Sequence, residues 1–152
     1  AAYKGVKRRF QWILDGEGGT AVLIDDYAHH PQELEALLTG VKSLYKGKKI
    51  AVLFQPHLFT RTRDFAAGFA KSLSLADEVC LLPIYPAREL PIAGVSSATI
   101  AAYMQQVKLA EKNEIEAWLM QTDADVFVTA GAGDIDAELA SISNTLRKKI
   151  IR

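Results

Sequence analysis

The chain has 152 residues, 49% hydrophobic and 24% charged, with 18 Lys and Arg against 18 Asp and Glu, so its formal net charge is zero. That length holds one domain with a substantial core. The neutral balance excludes a global field that would draw the chain to nucleic acid or an anionic membrane, and leaves anion binding to local clusters. No apolar run approaches the ~20 residues of a membrane span. Cys80 is the only cysteine, so no internal disulfide forms, and its setting Val79-Cys80-Leu81-Leu82 reads as an inert core thiol in a reducing cytoplasm. The start, Ala1-Ala2-Tyr3-Lys4, has neither signal-peptide architecture nor an initiator Met, so the expectation is a piece of a longer cytoplasmic protein.

In chain order, residues 10–14 and 20–25 read as two strands joined through Asp15-Gly16-Glu17-Gly18-Gly19, a glycine-rich turn that predicts a hairpin. Pro31 suits the first turn of a helix, with Leu34, Leu37, Leu38 and Val41 at helical spacing and Gly47 closing it. Residues 49–54 form a buried strand. Thr60 or Thr62 is the expected N-cap of a second helix whose apolar face is Phe65, Phe69 and Leu73. Residues 78–84 make another strand, and Tyr85 to Pro91, with two prolines, a loop. A helix over 96–105, a short strand at 107–110, a helix over 114–120 and a last strand over 125–130 follow. Gly131-Ala132-Gly133-Asp134 then turns into a final helix ending near Arg147-Lys148-Lys149. Alternating strands and helices with crossovers of this length predict a Rossmann-like α/β fold. It has a mostly parallel sheet, helices on both faces and an antiparallel hairpin strand at one edge.

Two apolar strands end in chemistry. Ala21-Val22-Leu23-Ile24 runs into Asp25-Asp26-Tyr27-Ala28-His29-His30-Pro31, and Ile50-Ala51-Val52-Leu53-Phe54 into Gln55-Pro56-His57-Leu58-Phe59-Thr60-Arg61-Thr62-Arg63-Asp64. Open α/β sheets bind ligands at the carboxyl ends of their strands, which puts both clusters at one site. At a strand terminus Asp25 and Asp26 point to opposite faces. Either one caps the next helix and the other reaches a ligand, or both cap and solvate the turn. Imidazoles at His29 and His30 can orient a carboxylate or move a proton. Asp25, Asp26, His29, His30 and His57 match no strong metal-ligand spacing, and no metal held by this chain alone is expected. Arg61 and Arg63 at a helix start beside His57 favour an anion over simple solvation. Lys7-Arg8-Arg9 is a short basic run, placed to face a neighbouring domain. Gly131-Ala132-Gly133 lacks the third glycine of a dinucleotide fingerprint, because position 136 is Asp136, and reads as a tight structural turn. No P-loop occurs in the chain.

Taken together, Gly5-Val6-Lys7-Arg8-Arg9-Phe10, Asp25 to Pro31, Phe54-Gln55-Pro56-His57 with Thr60 to Asp64, Tyr85-Pro86-Ala87 and Gly131-Ala132-Gly133 resemble the C-terminal domain of the Mur ligase family, in its alanine-adding form. The resemblance covers nearly the whole chain. It implies a cytoplasmic three-domain enzyme of peptidoglycan precursor synthesis. An N-terminal domain holds the UDP-sugar and a central P-loop domain holds ATP and Mg2+. The present chain, residues 1–152, would be the third domain, inactive alone. The implied chemistry is phosphorylation of the lactyl carboxylate of UDP-N-acetylmuramate by ATP and attack of the L-alanine amine on the acyl phosphate. By the same resemblance Arg9 reaches the ATP phosphates and Asp26 the ribose. Tyr27, His29, His30, Arg61 and Arg63 form the alanine side, with Arg61 and His29 nearest the chemistry. Leu58 stands where many relatives carry arginine, removing one cationic contact. A ligase domain that recycles a murein tripeptide, a stand-alone Rossmann-like binding module and a metal-dependent phosphoesterase are the competing readings.

Overall fold

The computed structural model describes residues 8–149. Gly5, Val6 and Lys7 of the first motif lie outside the described residues. One sheet of six strands has the spatial order β1-β2-β6-β3-β4-β5, where β1 is Gln11–Asp15, β2 Val22–Asp26, β3 Ile50–Phe54, β4 Glu78–Leu81, β5 Lys108–Leu109 and β6 Val126–Ala130. Only β1 runs antiparallel, against β2; the remaining pairs are parallel. The expected hairpin is present. Its turn needs left-handed backbone at Gly16, Gly18 and Gly19, with φ of 88°, 69° and 83°, which glycine adopts without strain.

The period-2 pattern of the strands sorts their side chains into two cores. Val22, Ile24, Ile50, Val52, Phe54, Val79, Leu81, Val126 and Val128 face one way, against α1 (Pro31–Leu44), α2 (Phe59–Leu73) and α3 (Ser97–Ala101). Leu23, Ala51, Leu53, Cys80, Leu82 and Phe127 face the other, against α4 (Ile115–Gln121) and α5 (Leu139–Lys148). Helices therefore cover both faces. Residues such as Leu34, Leu38, Val41, Phe69 and Leu73 are completely buried, each worth roughly 1.5–3 kcal/mol of transfer free energy. Burial raises the Cys80 thiol to about 12, so it is an unreactive core group.

Several local expectations are corrected. The second helix starts at Phe59, with Leu58 as N-cap residue and no capping side chain of its own; neither Thr60 nor Thr62 caps it. Thr62 instead donates its hydroxyl back to the Leu58 carbonyl at 2.8 Å. Phe65 has non-helical backbone, φ −120° and ψ 20°, and is exposed, so the inward face is Thr62, Ala66, Phe69, Ala70 and Leu73. β4 ends at Leu81 rather than at 84, although Leu82 N still donates to the Phe54 carbonyl at 3.0 Å. The helix expected over 96–105 keeps only Ser97–Ala101, started by a Ser96–Thr99 capping box. After Gly133 a 3-10 turn, Asp134–Glu138, precedes α5.

The crossover topology places the site. The chain leaves β2 through α1 to β3, skipping one position that β6 fills on its return from the opposite face. The carboxyl ends of β2 and β3 thus flank the end of β6, and their loops converge above it.

Candidate functional site

Asp25 and Asp26 diverge, as strand geometry requires. Asp25 is fully buried on the α5 face, where the Thr129 hydroxyl donates to it at 2.7 Å and Arg8 Nε at 3.1 Å. Arg8 Nη2 also donates to the Gly131 carbonyl at 2.6 Å, and its guanidinium lies 5.2 Å from the Tyr27 ring centre. Arg8 is therefore folded into the sheet edge, contrary to the expectation that the basic run faces outward, because a buried carboxylate must be paired. Arg9 does stay exposed.

Asp26 turns toward α1. Its carboxylate accepts the Phe10 amide at 2.8 Å and the Ala28 amide at 2.8 Å. Burial pushes its carboxyl above the usual range, against the lowering effect of those amides and of the Arg9 charge. Arg9, Asp26, Tyr27, His29 and Glu33 share the rim of a cleft of about 390 Å3 floored by Ala28, Ala36 and Leu37.

The two strand-end motifs meet through their rings. Tyr27 packs edge-on against His29 at 5.3 Å, His29 lies 6.0 Å from His57, and His57 stacks on Tyr85 at 5.7 Å with the planes 11° apart. His29 Nδ1 lies 2.9 Å from the Tyr27 carbonyl. A carbonyl only accepts, so Nδ1 carries a proton, and in the neutral form of the ring the lone pair sits on Nε2. Arg61 Nη1 lies 3.0 Å from His57 Nδ1. Guanidinium only donates, so here Nδ1 is the acceptor and His57 is neutral. Burial first, then the charges of Arg61 and His29, hold the His57 imidazole below its ordinary value.

His30 and Arg63 stand apart from this group. The His30 imidazole caps α1, accepting from the Gln32 amide at 3.4 Å, and packs on Phe65 at 4.9 Å. Arg63 is exposed and forks onto its neighbour Asp64, 2.7 Å at Nε. His57, weighed from the sequence as a metal ligand and as a neighbour of the arginines but given no substrate role, joins the cluster, as do Tyr85 and Glu89, which were not expected as site residues. His57 had a visible signal, since it ends the same strand that leads to Arg61. Glu89 had none, being an acidic residue in a proline-rich loop.

The turn after β6 is filled by protein. A Cβ on Gly133 would lie 2.5 Å from Gln55 Oε1 and 2.6 Å from the Tyr85 ring, and one on Gly131 2.8 Å from the Gln55 carbonyl. Gln55, almost fully buried, also bonds Asp134 at 2.7 Å and the Ile135 amide at 3.1 Å. This is a packed structural turn, as expected, with no room for a phosphate. Among the described residues, no three His, Cys, Asp or Glu side chains gather as a metal site. Nor is any helix long and apolar enough to cross a membrane. For a nucleotide, the residues fit only an edge contact: Arg9 is an exposed cation and Asp26 retains acceptor lone pairs at the cleft rim.

Comparison with known proteins agrees with this architecture. A UDP-N-acetylmuramate–L-alanine ligase of Flavobacterium psychrophilum is 49% identical over 98% of this chain, and the match spans 33% of that relative. The structure of the UDP-N-acetylmuramate–alanine ligase MurC of Thermotoga maritima superposes with a TM-score of 0.72 at 29% identity, over 96% of this chain and 31% of that one. A murein peptide ligase of Psychrobacter arcticus, at 18% identity and a TM-score of 0.75, covers 98% of this chain and 32% of its own, and shows the shared fold alone. The chain thus spans about a third of the length of the relatives it matches. The model of the "Mur ligase, glutamate ligase domain" matches residues 8–133. From its fold, its strand-end motifs and that match, the chain belongs to the Mur ligase family as a C-terminal, glutamate ligase domain.

Proposed function

We propose that this chain is the amino-acid-receiving domain of an ATP-dependent ligase that joins L-alanine to the lactyl carboxylate of UDP-N-acetylmuramate in peptidoglycan precursor synthesis. The observation that carries the reading is the meeting of His29 with the His57–Arg61 pair at one rim, from two strand ends. The relatives at this level of similarity bear that activity in their names. Amide formation by such a route needs a neutral amine beside a strongly anionic partner, with water kept out and charge compensated.

Arg61 supplies a guanidinium already oriented by His57, suited to a carboxylate or phosphoryl oxygen. His29 in its neutral form, with Nδ1–H held by the Tyr27 carbonyl, can accept a proton at Nε2 from the incoming ammonium. Tyr27 walls the side of the pocket next to Arg8. Arg9 and Asp26 would touch the nucleotide from the cleft rim. ATP with Mg2+ would supply the phosphoryl group, held mainly by the central domain of the complete enzyme, with the UDP-sugar in the N-terminal one. In this arrangement His30 and Arg63 act at a remove, His30 by setting the start of α1. The setting proposed is the cytoplasm, which suits a lone thiol.

The test is ADP release by the complete ligase with UDP-N-acetylmuramate and either L-alanine or a murein tripeptide. Alanine is the expected substrate, and the 152-residue chain alone is expected to give no turnover. Preference for the tripeptide, or turnover by the isolated domain, would overturn the reading. Tight binding of ATP by the isolated chain would favour a stand-alone module instead.

A further inference from the structure

The segment that carries Arg61 does not hold its own shape. Leu58, just before α2, has φ 73° and ψ 136°, a left-handed backbone for a residue with a branched side chain. Such a conformation persists only where its surroundings enforce it. Two restraints come from one loop. Leu58 N donates to the Tyr85 carbonyl at 2.9 Å, and Tyr85 N to the Pro56 carbonyl at 2.8 Å, so the loop clasps the chain on either side of His57. Further along the same loop, Glu89 supplies the cap that Leu58 lacks. Its Oε1 accepts the Phe59 and Thr60 amides at 2.5 and 3.1 Å, and its Oε2 accepts the Thr60 hydroxyl. Glu89 and Phe59 are 30 residues apart in sequence. The Thr60 hydroxyl, with help from the two amides, holds the Glu89 carboxyl below the usual range, so it stays ionised at neutral pH.

Arg61 is the next residue along the helix from Thr60. Its guanidinium bonds His57, and the His57 ring lies on Tyr85. A single loop therefore supports the ring of the pair through Tyr85 and the helix turn beneath the guanidinium through Glu89.

We propose that Glu89 is a positioning residue: a cap lent by the Tyr85–Pro91 loop, it fixes the first turn of α2 and the left-handed Leu58, and so sets the direction in which Arg61 and His57 meet the substrate. The identity of that substrate rests on the function proposed above; the coupling of Glu89 to the Arg61–His57 pair does not. An ordinary helix cap would contribute only to stability. A positioning residue also changes how the substrate is held, and small misplacement of an orienting group can cost about 10²-fold in rate.

The experiment has two arms. In the complete ligase, Glu89→Ala, Glu89→Gln and the α3 cap variant Ser96→Ala are compared well below their Tm for kcat and for KM toward amino acid, ATP and UDP-sugar. Glu89→Ala is expected to lower kcat/KM for the amino acid about 10²-fold, with little change in KM for UDP-sugar. Glu89→Gln, whose side-chain oxygen still accepts the amides, should recover much of the loss. Ser96→Ala should lower Tm and leave the kinetics alone. In the 152-residue chain, NMR should show faster exchange of the Phe59 and Thr60 amides in Glu89→Ala, together with altered Arg61 Nε and His57 ring signals. Wild-type kcat/KM in Glu89→Ala, or an unmoved Arg61–His57 pair, overturns the proposal. A wild-type ligase that ignores alanine while the NMR changes appear would sink the substrate reading and uphold the positioning role.

Discussion

Asp25 and Asp26 are adjacent in sequence and opposite in situation. Asp25 is sealed in the sheet edge, its charge matched by Arg8 and its remaining acceptor by Thr129. Asp26 sits at a cleft rim, held by two backbone amides, with its ionisation opposed by burial. The same contrast divides the carboxyl edge as a whole. On one side Arg8, Gln55, Gly131, Gly133 and Asp134 are bonded into a filled turn. On the other, Tyr27, His29, His57 and Arg61 adjoin one another with lone pairs and donors left over. The difference teaches that polarity at a strand end does not identify a site; spare hydrogen-bonding capacity does.

The largest expected effect tests that division. Asp25→Ala strands a partly buried guanidinium and leaves Thr129 without its acceptor, and should cost about 3 kcal/mol, whereas Asp26→Ala should cost clearly less and act mainly on nucleotide affinity. Urea unfolding of both variants measures this, and equal losses would break the comparison. Next, Gly133→Ala forces a methyl onto Gln55 and Tyr85 and should destabilise by about 1–3 kcal/mol. Because Tyr85 supports His57, the same variant should also disturb the His57 NMR signals.

A subtler test uses pH. The folded imidazole of His57 titrates below its ordinary 6.5, so the unfolded chain binds that proton more tightly. Its contribution to stability is complete above pH 6.5 and lost as pH falls through the lowered folded value. His57→Gln should flatten that part of the stability curve. Arg61→Gln should raise the His57 titration by NMR only partway, since burial is the larger cause. Asp26 acts in the opposite sense: its raised carboxyl takes up a proton first in the folded state, so this site gains stability as pH falls toward 3.8. The smallest effect is expected at Arg63. Paired with Asp64 in solvent, its replacement by Gln should leave stability unchanged in urea. A large loss of activity there would mean that domain closure recruits it to the site.

Much of this was legible in the residues. Short apolar runs located β2, β3, β4 and β6, since a sheet covered on both faces buries successive side chains alike. Pro31 and the Leu34–Val41 spacing located α1, and the glycines of 15–19 located the hairpin turn. The clusters after β2 and β3 marked the site because apolar strands rarely end in so many polar groups. Other features could not be read locally. Glu89 caps a helix 30 residues upstream, and no local pattern encodes such a pairing. Phe65 looked like a core residue by spacing until the helix kinked beneath it. Arg8 and Arg9 are chemically alike, yet one is drawn inward by a buried carboxylate and the other is not.

By itself the sequence determined the alternating layers, the family and the two segments from which a site could be built, because these depend on local periodicity and on neighbouring residues. Tertiary structure decided which of the two aspartates was already satisfied, which arginine of the basic run stayed exposed and which distant carboxylate caps the helix that carries Arg61. Those outcomes depend on where desolvated charges find partners, and partners are brought together only when the chain closes on itself.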